Sequence, residues 1–180
     1  MYKIYIFFIY WNPLRRELVA FLPQSGSEGL VQTIRHEAFH QYLSYAASMI
    51  PASPWFNEGY AQYFERDDGG DWGPGIVPDA EWLESVVKML PALMKMDYAE
   101  FYSGTAEERR LKYRLAWSIA YFIEKGAPQV RFDPFGNLKR DYIAALLKYR
   151  DMHKATEAAF AGSEALEDFI DEWKRYWRNR

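Results

Sequence analysis

The stretch Thr33-Ile34-Arg35-His36-Glu37-Ala38-Phe39-His40-Gln41-Tyr42, TIRHEAFHQY, decides how the rest of the chain is read. The protein has 3 histidines, and two of them stand four positions apart here, with a glutamate directly after the first. On a helix, residues i and i+4 share a face. His36 and His40 therefore point the same way, close enough to grip one ion, and neutral imidazole is a good zinc ligand. Glu37 falls about 60° round the helix from His40 at 3.6 residues per turn. There it reaches a water at the metal without being a ligand, which is the mechanical content of the His-Glu-x-x-His pattern. The competing reading is two ordinary surface histidines on an amphipathic helix. Ala38 and Phe39 make the neighbourhood apolar, and buried imidazole nitrogens need partners, which favours the metal grip.

Such a site needs a third protein ligand and an open position for water. Downstream stands PWFNEGYAQYFE, residues 54–65, in which Glu58 follows His40 by eighteen positions. A helix–turn–helix brings its carboxylate back over the histidine pair. Glu65 lies two turns further on, near the same face. Ala61 leaves room for close helix packing, and Gln62 or Glu65 can orient a histidine through its second ring nitrogen. A plain surface acid is the other reading of Glu65.

Working outward, the expected class is α+β, mainly helical, with a small N-terminal sheet packed on the motif helix. Two strands are expected, Lys3 to Tyr10 and Glu17 to Leu22, joined by the turn WNPLRR and ended by Pro23 to Gly26. A helix from about Glu28 to Met49 follows, capped by Ser27, with Leu30, Ile34 and Ala38 as its apolar row and Tyr45 and Met49 extending it. Ser53 with Pro54 reads as a cap and first helical position for a helix to Glu65. Asp67 to Pro78 reads as a solvated loop without EF-hand spacing. The remainder reads as helical: Glu81 to Leu90, a short segment capped by Asp97, and a Thr105/Glu108 capping box opening a helix that ends near Gly126. Leu138 to Tyr149 and Met152 to Phe160 come next. A last helix is capped by Ser163, with Leu166, Phe169, Ile170, Trp173 and Trp177 at helical spacing.

The bulk properties narrow the classes. A chain of 180 residues suits one domain over 1–180, or a piece of something longer. The net charge of −3, with acids and bases interspersed, lacks the basic footprint of a nucleic-acid binder. With 0 Cys there is no disulfide framework and no thiolate metal site, and the compartment is not fixed. The opening apolar run, Ile4 to Trp11, is too short to span a bilayer and has no cleavage-site pattern, so a buried strand is expected. The 7 Trp, 14 Tyr and 12 Phe point to a thick core and an aromatic-lined cleft.

HEAFHQ followed by WFNEGYAQYFE resembles the gluzincin metallopeptidases, in which an Asn-Glu-Gly-x-Ala segment supplies the glutamate ligand. LPALMKMDYAEFYSG (90–104) and YRLAWSIAYFIEKG (113–126) resemble a bacterial peptidase-MA-like branch of that group. The resemblance runs from Glu17 onward and implies a zincin-like fold. It implies Zn2+ held by His36, His40 and Glu58, with Glu37 as general base. It also implies an oxyanion donor from a later helix, for which Tyr113 is preferred to Tyr121, with an ordinary core tyrosine as the other reading of Tyr113, and a substrate peptide laid along the edge strand Glu17 to Leu22. The expected activity is hydrolysis of peptide or protein substrates; the Gly-x-Met-Glu-Asn segment of gluzincin aminopeptidases is absent, so nothing points to aminopeptidase action, and the choice between endo- and exopeptidase stays open. No third histidine follows in the metzincin pattern: positions 43 and 46 are Leu43 and Ala46. The alternative is a non-catalytic zincin-fold domain that binds metal or peptide, and the third reading is a helical interaction domain. His153, on a Lys-rich polar helix, reads as a surface residue.

Overall fold

A computed structural model describes residues 8–21, 30–65, 80–129, 135–160 and 163–179. The expected strand before Phe8, the break at Pro23 to Gly26, the Ser27 cap and the 67–78 loop lie outside the described residues, as does the side chain of Ser163.

The described residues are mainly helical, with one two-stranded antiparallel sheet among them. Strands β1 (Phe8–Asn12) and β2 (Glu17–Phe21) pair with Trp11 opposite Leu18 and Tyr10 opposite Val19. Trp11 and Asn12 belong to the strand and not, as expected, to the turn. The turn forms because Asn12 Oδ1 accepts the N–H groups of Leu14 and Arg15, both at 3.1 Å. Arg16 closes it in the left-handed region, at φ 56°.

Helix α1 (Leu30–Ala46) carries the His-Glu-x-x-His motif and ends before Met49. Ser48 and Met49 turn left-handed, at φ 51° and 63°, and the Met49 N–H reaches back to the Ser44 carbonyl at 2.6 Å. The expected apolar row of α1 is corrected: Ile34 and Tyr45 are exposed, and the buried positions are Phe39 and Leu43, continued by Ala47. Apolar residues occur all round this helix, so spacing alone did not show which side faces α2.

Helix α2 (Pro54–Glu65) is the centre of the molecule, with Trp55, Phe56, Tyr60 and Ala61 fully enclosed. Phe39 of α1 stacks on Tyr60 and Phe64, at 5.8 and 5.3 Å between ring centres. Each such buried side chain contributes roughly 1.5–3 kcal/mol. The Ser53 carbonyl accepts the first helical N–H bonds, from Phe56 and Asn57. Its hydroxyl does not cap the helix. It bonds the Met152 carbonyl and the Thr156 hydroxyl, both at 3.0 Å, tying the start of α2 to another helix.

The segment expected over Glu81 to Leu90 divides into α3 (Ala80–Val86), a 3-10 turn, and α4 (Leu90–Lys95). Pro91 lacks an N–H and sits in the first turn of α4, so it opens a helix there. Helix α5 (Tyr98–Tyr102) starts at a full Asp97/Glu100 capping box. Helix α6 (Ala106–Tyr121) starts at the Thr105/Glu108 box and runs on as a widened π-type turn to Gly126. Helices α7 (Leu138–Tyr149), α8 (Met152–Ala159) and α9 (Ser163–Arg178) complete the described chain. Phe169, Trp173 and Trp177 are the buried row of α9, and His153 on α8 is exposed. Among the described residues no helix is long and apolar enough to cross a membrane.

Two contacts position the site. Gly59 of α2 lies directly against α6: a Cβ there would stand 2.3 Å from the Ala116 carbonyl oxygen. The hairpin is pinned to α1 by Trp11, whose indole N–H donates to Ser44 Oγ at 2.9 Å.

Candidate metal centre

His36 and His40 occupy successive turns of α1, their rings 4.8 Å apart and nearly perpendicular. Both are largely shielded, with 17 % and 13 % of their side chains exposed. Helices α1 and α2 run antiparallel, so His36 lies beside Glu65 and His40 beside Asn57. His36 Nδ1 is 3.0 Å from Glu65 Oε2, and His40 Nδ1 is 2.8 Å from Asn57 Oδ1. Each Nδ1 is thus matched to an oxygen acceptor. That leaves the two Nε2 atoms facing Glu58 Oε2, at 3.7 and 3.8 Å.

Glu58 is almost fully buried, at 4 % exposure. A carboxylate in that position needs partners to offset its lost hydration. Its Oε1 accepts the Tyr102 hydroxyl at 2.6 Å. Burial and the Glu58 charge push the Tyr102 hydroxyl well above the ordinary phenol range, so it remains a donor. Tyr98, one turn earlier on α5, accepts from Asn57 Nδ2 at 2.9 Å. Burial and the same carboxylate raise Tyr98 and Tyr113.

Glu37 lies on the same side of α1. Its Oε2 accepts the backbone N–H of Trp11 at 2.8 Å, which fixes the carboxylate against the end of β1. The strand at the site is therefore β1. The cleft, about 490 Å3, is lined on the hairpin side by Trp11 and Pro13, and none of its described lining residues comes from Glu17–Phe21. Its other walls are Leu43, Met49, Ile50 and Pro51 on the apolar side, and Tyr98, Tyr102 and Tyr113 on the aromatic side.

The donors suit a divalent ion of zinc type. Two imidazole nitrogens and a carboxylate oxygen converge, and both imidazoles carry an acceptor on the far nitrogen, the usual arrangement of metal-binding histidines. Ligands 2.0–2.2 Å from a tetrahedral zinc lie roughly 3.3 Å apart, within about half an ångström of the two distances to Glu58. His36, Glu37 and His40 also offer ligand atoms all within 4.8 Å of one another. Either carboxylate can complete a three-ligand set. Glu58 is the better placed, because its free oxygen lies between the two imidazoles and its other oxygen is already held. Burial lowers the His36 pKa, but the Glu65 hydrogen bond and the charges of Glu58, Glu65 and Glu37 outweigh it and leave it raised above 6.5. The negative surroundings favour a cation at this point.

Of the residues expected from the sequence, His36, Glu37, His40, Glu58 and Tyr113 line one cleft, and Glu65 touches His36 from behind. Gln62 is not the partner of either imidazole: those places are taken by Glu65 and Asn57. Tyr121 lies away from the cleft, packed on Trp117 and Trp177. Asn57, Tyr98, Tyr102 and Trp11 were not expected. Asn57 adjoins the Glu58 position, which is a local signal. The two tyrosines stand 41 and 44 positions from their partners, and no spacing rule links them.

Comparisons with protein-family models, with curated proteins and with solved structures return no match for this chain.

Proposed function

We propose that the protein is a zinc-dependent peptidase of gluzincin type with a zincin-like fold, acting on internal bonds of peptide or protein substrates. The observation that carries this reading is the convergence of His36 Nε2, His40 Nε2 and Glu58 Oε2 in an open cleft, with Glu37 beside them. His36, His40 and Glu58 would hold the ion. Bound there, zinc would supply Lewis-acid polarisation of the carbonyl and would bring the pKa of a nearby water down toward neutrality. Glu37 takes the proton of the attacking water and delivers it to the leaving amine. The Trp11 N–H holds one Glu37 oxygen, so the other is the one that handles the proton. Tyr113, on the cleft wall, donates to the developing oxyanion.

The shape of the cleft agrees with an endopeptidase. Leu43, Met49, Ile50 and Pro51 offer an apolar seat for a substrate side chain, while Glu37 and Glu58 repel an acidic one. No lysine or arginine stands among the described lining residues to hold a terminal carboxylate.

The test is elemental analysis of protein purified without a His tag or added metal, followed by a peptide-library assay. One zinc per chain, lost in His36→Ala, with hydrolysis lost but zinc kept in Glu37→Gln, is the expected result. No zinc uptake at neutral pH would remove the reading. Zinc uptake without hydrolysis of any peptide would leave the non-catalytic metal-binding alternative.

A further inference from the structure

We infer that the short helix α5 is a clasp for this metal centre: Tyr98 and Tyr102 hold Asn57 and Glu58 in the orientations that let His40 and Glu58 serve one ion. The inference rests on the metal-site reading above.

Asn57 and Glu58 are neighbours on α2, so their side chains diverge by about 100° and neither can orient the other. Both have heads that rotate. Asn57 can turn its oxygen or its NH2 toward His40. Only the oxygen accepts from Nδ1–H and leaves the Nε2 lone pair free for a metal. Glu58 can turn either of its carboxylate oxygens toward the histidines or split them between other partners. Residues four apart on a helix stand one above the other, and Tyr98 and Tyr102 use that spacing to meet the two heads at once. Tyr98 takes the Asn57 NH2 at 2.9 Å, which points the amide oxygen at His40. Tyr102 takes Glu58 Oε1 at 2.6 Å, which leaves Oε2 between the imidazoles.

The clasp is itself anchored at both ends. The Asp97/Glu100 box fixes its start. At its end, Lys112 of α6 is buried, and its ammonium donates to the carbonyls of Glu100 and Ser103 at 2.6 and 3.1 Å. Taking a lysine out of water is unfavourable unless hydrogen bonds replace its hydration, and here those bonds go to α5. Lys112 thereby sets the height of both tyrosines over α2 without touching the metal centre.

The experiment measures zinc affinity by chelator competition on the purified protein, with the visible spectrum of the cobalt-substituted form as a readout of ligand geometry. Thermal melts of the metal-free variants check folding. Tyr98→Phe and Tyr102→Phe, each losing one hydroxyl, should weaken zinc roughly tenfold or more and alter the cobalt bands. In an Asn57→Asp background the Tyr98→Phe loss should shrink to about threefold or less, because either carboxylate oxygen accepts from His40. Lys112→Met, which keeps the packed stem, should also weaken zinc. Zinc affinities within twofold of wild type in both Phe variants would overturn the clasp and leave the metal centre standing. An equal Tyr98→Phe loss in the two backgrounds would overturn the orienting role. A wild-type protein that takes up neither zinc nor cobalt would overturn the metal reading and the clasp together.

Discussion

Replacing Gly59 by alanine should cost stability and zinc affinity together, because one close approach supports both. The new Cβ would stand 2.3 Å from the Ala116 carbonyl oxygen and 2.8 Å from its carbonyl carbon. Real Cβ contacts essentially never fall below 3.0 Å, so α2 must move off α6 by about 0.7 Å or more. The obstructing atoms are helix backbone and cannot rotate away. Overpacking of this kind costs about 1–3 kcal/mol, and the better helix propensity of alanine returns at most about 1 kcal/mol. A net loss of up to about 2 kcal/mol lowers the melting temperature by up to roughly 8 °C for a chain of this size. Glu58 is the adjacent residue on α2, and its carboxylate sits 3.7 and 3.8 Å from the two imidazoles. A displacement of that size is a fifth of those distances, enough to spoil a shared ligand position. Urea denaturation of the metal-free protein and chelator competition for zinc read the two effects. A Gly59→Ala protein that melts at or above the wild-type temperature, with unchanged zinc affinity, would refute the close α2–α6 contact and the coupling drawn from it.

Three further outcomes are expected. Glu58→Ala should retain the fold and weaken zinc by at least tenfold; unchanged affinity would transfer the third-ligand role to Glu37. His36 has a raised folded-state pKa, so its contribution to the stability of the metal-free protein is fully present below pH 6.5 and is lost as pH rises through the raised value. Zinc binding needs the neutral imidazole and should strengthen over the same interval. Denaturation with and without chelator, wild type against His36→Gln, should show these opposite slopes, and a metal-free difference that grows with pH would contradict the assignment. Ser53→Ala and Thr156→Val should each cost about 1 kcal/mol. Their double mutant should lose less than the sum, because the two hydroxyls bond each other; strict additivity would return Ser53 to a simple capping role.

The parts of this protein legible in its sequence are those set by near neighbours. The grouping of His36, Glu37 and His40 follows from helical spacing alone. The Thr105/Glu108 and Asp97 caps, and the buried row Phe169, Trp173 and Trp177, are short-range patterns of the same kind. Glu58 was legible because a second helix begins soon after the first ends, which restricts where its carboxylate can go. The apolar row of α1 was not legible. That helix is apolar on more than one side, so its buried face is chosen by the partner that packs on it, here Phe64 and Tyr60 of α2. Ser53 looked like a cap because its position is one, but residues 99 and 103 positions later claimed its hydroxyl.

The sequence by itself determined a metal-ligand pattern on one helix, a candidate carboxylate on the next, and a chain of helices after a short hairpin. Only the tertiary structure decided how that pattern is held. Which oxygen of Glu58 faces the histidines, and which atom of Asn57 meets His40, depends on two tyrosines from α5, with Gly59 letting α2 settle against α6. Hydrogen bonds to rotatable side-chain heads are set by three-dimensional proximity, and no periodicity along the chain encodes them.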